Sequence, residues 1–390
     1  MSESADVDGS AVARISSDRF ATLRFVIVGT GAAAWNAVKN LIKPFIGRER
    51  SFDEQGLFLW QYLLHITRLR PIRAITCIAY PTEGPGAQAL SVMNAINFAR
   101  YTGLTYLHTP FKVIQHADRP MEEWAAAWET LFNLGAGEEI CEAKPHKSVN
   151  HWHNMPALEL CFGRSHCRHQ INQHFESMIP EFRSKYYLGK SSRMAREVTI
   201  AVHIRRGWDV SPTIDPFVRT ESILRIVSTA KAVLDAQNIQ HRISVYSEGS
   251  RADFEEFFIP GVNLSKFRVG HYSKGKGVEI EEGSHFTDNP FHDLDAISAM
   301  KELIEADILI MSKSSFCYYA ALISDGIKFF ANDRKDGPPI EGWILFARDG
   351  SFDRGVFDRQ LFMLVRAKES VDATDGAESE TKGLCGDTAK

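Results

Sequence analysis

The stretch EVTIAVHIRRGWD, residues 197–209, decides how this chain is read. Val198, Ile200, Val202 and Ile204 alternate with smaller or polar neighbours, which predicts a buried strand, and Gly207 breaks it just after the charges. His203, Arg205 and Arg206 then stand at the strand's C-terminal end, with Asp209 close behind. In open α/β sheets that edge is the crevice where ligands bind, and arginine presents a planar fork of donors matched to phosphate oxygens. The pair reads either as an anion clamp or as two guanidinium groups paired with carboxylates on a solvated rim.

A second segment points the same way. ADILIMSKSSFCYYAA, residues 306–321, is an apolar strand that runs into Ser312, Lys313, Ser314 and Ser315 and then into a helix. Hydroxyls, an ammonium group and the first free N–H groups of a helix on one turn suit an anion, while a plain serine N-cap beside a solvated lysine explains the same residues. Both strands are expected to end at the same sheet edge, so that the 312–315 turn faces His203 and Arg206 across one cleft and their charged ends serve one diphosphate.

Outward from these segments, strand and helix alternate. Before them, a strand over 74–79, a Gly/Pro loop, a helix over 89–101, a strand over 105–108 and an amphipathic helix over 120–135 form an α/β series. After 197 come the HIRRG strand, a helix over 221–236, a strand over 243–246, a helix from Arg251, a glycine-rich loop over 269–289, a helix from Asp293 and the SKSS turn. The loop is longer than a connector needs and reads as a lid or as a linker. The fold class is therefore α/β with doubly wound parallel sheets. The divisions are a structureless leader over 1–20, an N-terminal α/β domain over 21–190, a C-terminal domain over 196–366 and a structureless tail over 367–390, poor in apolar residues.

Composition narrows the function. A chain of 390 residues exceeds a usual single core, and 44% hydrophobic with 24% charged residues is ordinary for a globular protein. A formal net charge of −4 implies no broad basic surface, so a nucleic-acid partner is not expected. Cys161, His166, Cys167 and His169 lack the two tight ligand pairs of a structural zinc site, and no metal is expected. The six cysteines have no repeating spacing and suit a reducing compartment, so the cytoplasm is the expected location. The apolar stretch FVIVGTGAAAW from Phe25 is too short for a transmembrane span, and it reads as a strand and helix, a nucleotide loop or a late signal core.

The His-x-Arg-Arg-Gly run with its following Asp, the YSEG segment over 246–249 and the strand–SKSSF turn together resemble the fucosyltransferase superfamily. That group includes the α-1,2- and α-1,6-fucosyltransferases, the protein O-fucosyltransferases and the nodulation fucosyltransferases of rhizobia. The likeness is densest over 198–330, and GPGAQALSVMNAINFARYTGLTYLHTPF, residues 84–111, matches the first strand–loop–helix unit in pattern. It implies a two-Rossmann-domain (GT-B) fold and an inverting glycosyltransferase. The donor substrate would be GDP-fucose, with no cofactor, and the acceptor a glycan. A non-catalytic protein of the same fold that binds sugar nucleotides or glycans is the alternative.

The same resemblance assigns roles. Arg206 would contact the donor diphosphate and Arg205 orient the strand. His203 would line the cleft, Ser314 or Ser315 would touch the diphosphate beside Ser312 and Lys313, and Glu248 would lie near the guanosine or ribose. Two departures stand out. Trp208 interrupts the usual Gly-Asp pair and displaces Asp209 by one residue. Ala299 occupies the place of the carboxylate that α-1,6 relatives carry one helix before the serine turn, with Asp295 about one helical turn earlier. Asp295 reads either as a cleft acid or as a first-turn acid favoured by the helix dipole. Asp209, Asp293 and Asp295 are the candidates for the acceptor's base, and Arg206, Asp209 and Asp295 for the catalytic set.

Overall fold

The computed structural model describes residues 74–79, 81–141, 149–152, 166–190, 197–205, 218–247, 262–267, 270–273, 277–280, 293–332 and 339–383. Two parallel sheets organise them. In the first, β1 (Ala74–Cys77) pairs with β2 (Thr105–His108) on one side and β4 (Val149–Trp152) on the other, and β2 carries β3 (Glu139–Ile140) at the edge. Helix α1 (Pro85–Thr102) joins β1 to β2, and α2 (Met121–Phe132) joins β2 to β3.

Helix α1 begins four residues earlier than the sequence reading. Pro85 occupies its first turn, where the fixed φ suits a helix and the missing N–H removes a donor that would be unsatisfied anyway. It ends at Gly103, whose φ of 70° lets its N–H close on the carbonyls of Ala99 and Arg100. Helix α2 is pinned to the sheet by Glu129. One of its oxygens lies 2.7 Å from Nε2 of buried His108 and the other accepts from the Phe111 amide at 3.1 Å.

Helix α3 (His166–Tyr187) precedes the second sheet, whose strands are β5 (Val198–Ile204), β6 (His241–Ser247), β7 (Val262–Phe267), β10 (Asp293–Leu294), β11 (Ile308–Ile310), β12 (Ile327–Ala331) and β13 (Ile344–Phe346). Their order is β10-β7-β6-β5-β11-β12-β13, parallel at every pairing. Helix α4 (Thr220–Ala236) follows β5, α5 (Ala296–Glu305) precedes β11, α6 (Ser315–Ile323) connects β11 to β12, and α7 (Arg354–Gly383) follows β13. All of β5 except Thr199 is buried, because a parallel sheet is covered on both faces. Side chains alternate along a strand, so Val198, Ile200, Val202 and Ile204 join the core packed against Ile223, Ile226, Val227 and Ala230 of α4 and Phe357 and Leu361 of α7. Ala201 and His203 point to the opposite face.

The fold class is thus α/β with two parallel sheets. Two local readings need correction. The segment over 269–289 is not wholly a loop, since β8 (Gly270–Ser273) and β9 (Gly277–Ile280) form an antiparallel pair. Each strand is four residues long and opens on glycine, too short for alternation to register. The tail expected to lack structure from 367 is helical through Gly383 as the end of α7. Its Ala, Glu and Lys content favours helix even where it offers little to bury, and Lys368 anchors it by an ion pair to Asp307 at 2.9 Å. The leader, the stretch from Phe25, Cys161 and the helix from Arg251 lie outside the described residues. Among the described residues no helix is long and apolar enough to cross a membrane.

Lys328 of β12 is buried at 6% exposure, and its amine is pushed down to about 7 by burial and by neighbouring Arg183, with Asp325 opposing. In the unfolded chain the same amine keeps its proton to about pH 10. Between those values the unfolded state binds more protons, so this residue makes stability rise with pH. Lys328→Met should therefore stabilise the protein most below about pH 7 and lose that advantage toward about pH 10. Urea titrations across that range check it, and a gain independent of pH would contradict the buried-charge account.

Candidate ligand crevice at the switch point

Strands β5 and β11 are neighbours, yet the chain leaves them in opposite directions. β6, β7 and β10 build to one side, and β12 and β13 to the other. Such a reversal opens a crevice at the carboxyl ends of the two central strands. The register pairs Ile310 with Val202, so the residues just beyond β11 lie beside the last residues of β5. His203 Nδ1 lies 2.6 Å from the Ser312 hydroxyl, although 109 residues separate them. Both are buried, at 1% and 3% exposure, and the His203 ring lies 5.5 Å from that of Phe316.

The turn beyond β11 is tightly held. The Met311 amide donates to the Phe329 carbonyl at 3.1 Å, fixing its start to β12, and the Ser314 amide donates to the Ser312 carbonyl at 3.0 Å. Ser314 is the N-cap of α6, and its hydroxyl oxygen accepts from the Phe316 amide at 3.2 Å. No acidic residue occupies the first turn of α6, so its positive dipole end is not neutralised locally. Lys313 and Ser315 are partly exposed at its mouth, and Arg205 follows the end of β5 with intermediate exposure.

The first sheet contributes a wall. Gly86, in the first turn of α1, packs so closely against α6 that a Cβ there would lie 2.6 Å from the Phe316 Cα and 2.7 Å from the Ser315 carbonyl oxygen. Trp128 and Phe132 of α2 continue the contact, with ring centroids 6.2 Å from Phe316 and 4.4 Å from Tyr319. The beginnings of α1 and α6 therefore abut at backbone distance.

Asp295 is the N-cap of α5. One oxygen accepts from the Ser298 amide at 2.6 Å and the other from the Arg119 guanidinium at 3.2 Å. Burial pushes its carboxyl up, but the hydrogen bonds from Ser298 and the Arg119 charge outweigh this and leave it lowered. Arg119 is raised, chiefly by its hydrogen bond to Asp118. The first-turn reading of Asp295 is thus the geometry observed. Asp293 belongs to β10, whereas Arg206, Asp209 and Glu248 lie outside the described residues.

Of the residues singled out in the sequence, the structure brings together His203, Ser312, Lys313, Ser314 and Ser315, with Arg205 at the adjoining strand end. It assigns the Ser312 and Ser314 hydroxyls to internal contacts, so Ser315 and Lys313 are the better exposed of that turn. Gly86, Arg119, Phe316 and Cys317 carried no local signal, because their parts depend on what faces them. Among the described residues no group of three or more His, Cys, Asp and Glu side chains is arranged to hold a metal ion.

No family model matches the chain, and no curated protein matches it. Among solved structures it is similar to the NodZ α-1,6-fucosyltransferase co-crystallised with GDP, at 15% identity and a TM-score of 0.29, over 66% of this chain and 94% of that one. POFUT1 in complex with GDP matches at 11% identity and a TM-score of 0.30, over 65% and 95%. The E. coli heptosyltransferase WaaC with ADP-2-deoxy-2-fluoro heptose matches at 9% identity and a TM-score of 0.33, over 70% and 92%. Similarity at this level assigns the chain neither to a family nor to an activity.

The abutting helices give a direct test. Gly86→Ala should cost about 1–3 kcal/mol, because the obstructing atoms are backbone and cannot rotate away. A thermal melt equal to the wild type's would mean that α1 and α6 do not touch as described.

Proposed function

We propose that the protein is an inverting glycosyltransferase that takes GDP-fucose as donor and a glycan as acceptor. The observation that carries the reading is the convergence of the β5 and β11 ends at the switch point, where His203 and Ser312 meet. That geometry makes one crevice of the two segments whose residue types suit a diphosphate. In the reaction the acceptor hydroxyl oxygen bonds to the anomeric carbon as the bond from that carbon to the phosphate oxygen breaks. The electron pair leaves with GDP, and the hydroxyl proton passes to a base. The main demand is stabilisation of negative charge on the departing phosphates.

Lys313, the Ser315 hydroxyl, the positive end of α6 and the Arg206 side chain meet that demand in this reading, and a metal is dispensable to it. Asp295 is a poor base, since its carboxylate is committed to Ser298 and Arg119. Asp209 and Asp293 are left for the proton. Trp208, set between Gly207 and Asp209, favours a second reading in which the protein binds the nucleotide sugar without turnover.

Purified protein mixed with GDP-fucose and a panel of glycan acceptors should release GDP in an acceptor-dependent manner. Binding of GDP without acceptor-dependent release would leave the second reading. Transfer should persist in excess EDTA, and loss on chelation with recovery on Mg²⁺ or Mn²⁺ would overturn the metal-free mechanism. Arg206→Lys should weaken GDP binding by about 1.5–3 kcal/mol in calorimetry with little change in the melt, because lysine cannot reproduce the bidentate fork. Undiminished affinity would remove Arg206 from the site.

A further inference from the structure

Cys317 sits three residues past the Ser314 cap and is fully buried in α6. Its sulfur lies 3.1 Å from the Ser312 carbonyl oxygen and 3.3 Å from that of Ser314, and 3.8 Å from the Ser312 hydroxyl that meets His203. The thiol thus reaches back across the whole turn that opens the crevice. In a capping box this third helical position carries Glu or Gln, whose side chain returns to the cap residue. A carboxylate there would place negative charge beside the amides and the lysine proposed to receive phosphate. A thiol donates to the turn's carbonyls without bringing a carboxylate to that place.

We infer that Cys317 is a positioning residue: its thiol holds the 312–314 turn in the shape that admits a nucleoside diphosphate. This rests on the diphosphate reading of that turn. The carbonyls of Ser312 and Ser314 point inward to the sulfur, which leaves the Lys313 and Ser315 side chains on the outer side of the turn. His203 supports the same turn from β5, so its part is also that of a strut.

The test uses the full chain with Cys317→Ala and Cys317→Ser, and two readouts: GDP affinity by calorimetry and amide hydrogen exchange over 312–316. Cys317→Ala should weaken GDP binding about three- to tenfold, the worth of one ordinary hydrogen bond, and speed exchange of the turn amides. Cys317→Ser, which keeps a donor, should restore both. Unchanged affinity and exchange in the alanine variant, or a serine variant no better than alanine, would overturn the inference. If the wild type itself does not bind GDP, the proposed function falls, and exchange over 312–316 decides alone whether Cys317 holds the turn.

Discussion

Helix α6 has no face left for solvent. Every residue over 317–323 is buried, so the helix must be covered by the second sheet on one side and by α1, α2 and α5 on the others. Much else follows from that constraint. Its C-terminal carbonyls would be stranded in an apolar surround, and Arg183 of α3 reaches them, donating to Leu322 at 3.1 Å and to Ser324 at 2.7 Å while pairing with Asp325. At the opposite end the closeness of α1 excludes any side chain at position 86.

The same burial concentrates electrostatics at the N-terminus of α6. The positive end of the helix dipole and Lys313 face the switch point, and no acid in the first turn offsets them. Polar groups below the surface are tied inward. His203 meets Ser312, Ser314 caps the helix, and Cys317 holds the turn. A base tied by hydrogen bonds thus supports the rim that carries Lys313, an arrangement that favours an anion without requiring a broadly basic protein.

Asp295 and Arg119 show how a plausible catalytic residue becomes structural. The carboxylate stands about one helical turn before the place where the resemblance expects one, yet its two oxygens are spent on the start of α5 and on a guanidinium 176 residues away. Spacing along the chain placed it near the crevice, but spacing carries no information about what else competes for its lone pairs.

The strands β5 and β11, the helices α2 and α4 and the serine turn were legible in the sequence because each is written in the period of a short stretch and in the residues that start and stop it. Val198 to Ile204 must lie in a sheet covered on both faces to hide apolar side chains, and Ser314 must cap because its hydroxyl can reach an amide two residues on. Short elements such as β8 and β9, and the continuation of α7, escaped because four-residue strands carry too little pattern and a polar helix has no apolar stripe. Which strand lies beside β5, and therefore that His203 meets Ser312, that Gly86 meets Phe316 and that Arg119 meets Asp295, only the tertiary structure decided. Those contacts join residues that are distant along the chain, and they are set by strand order and register, which depend on the packing of all the elements at once.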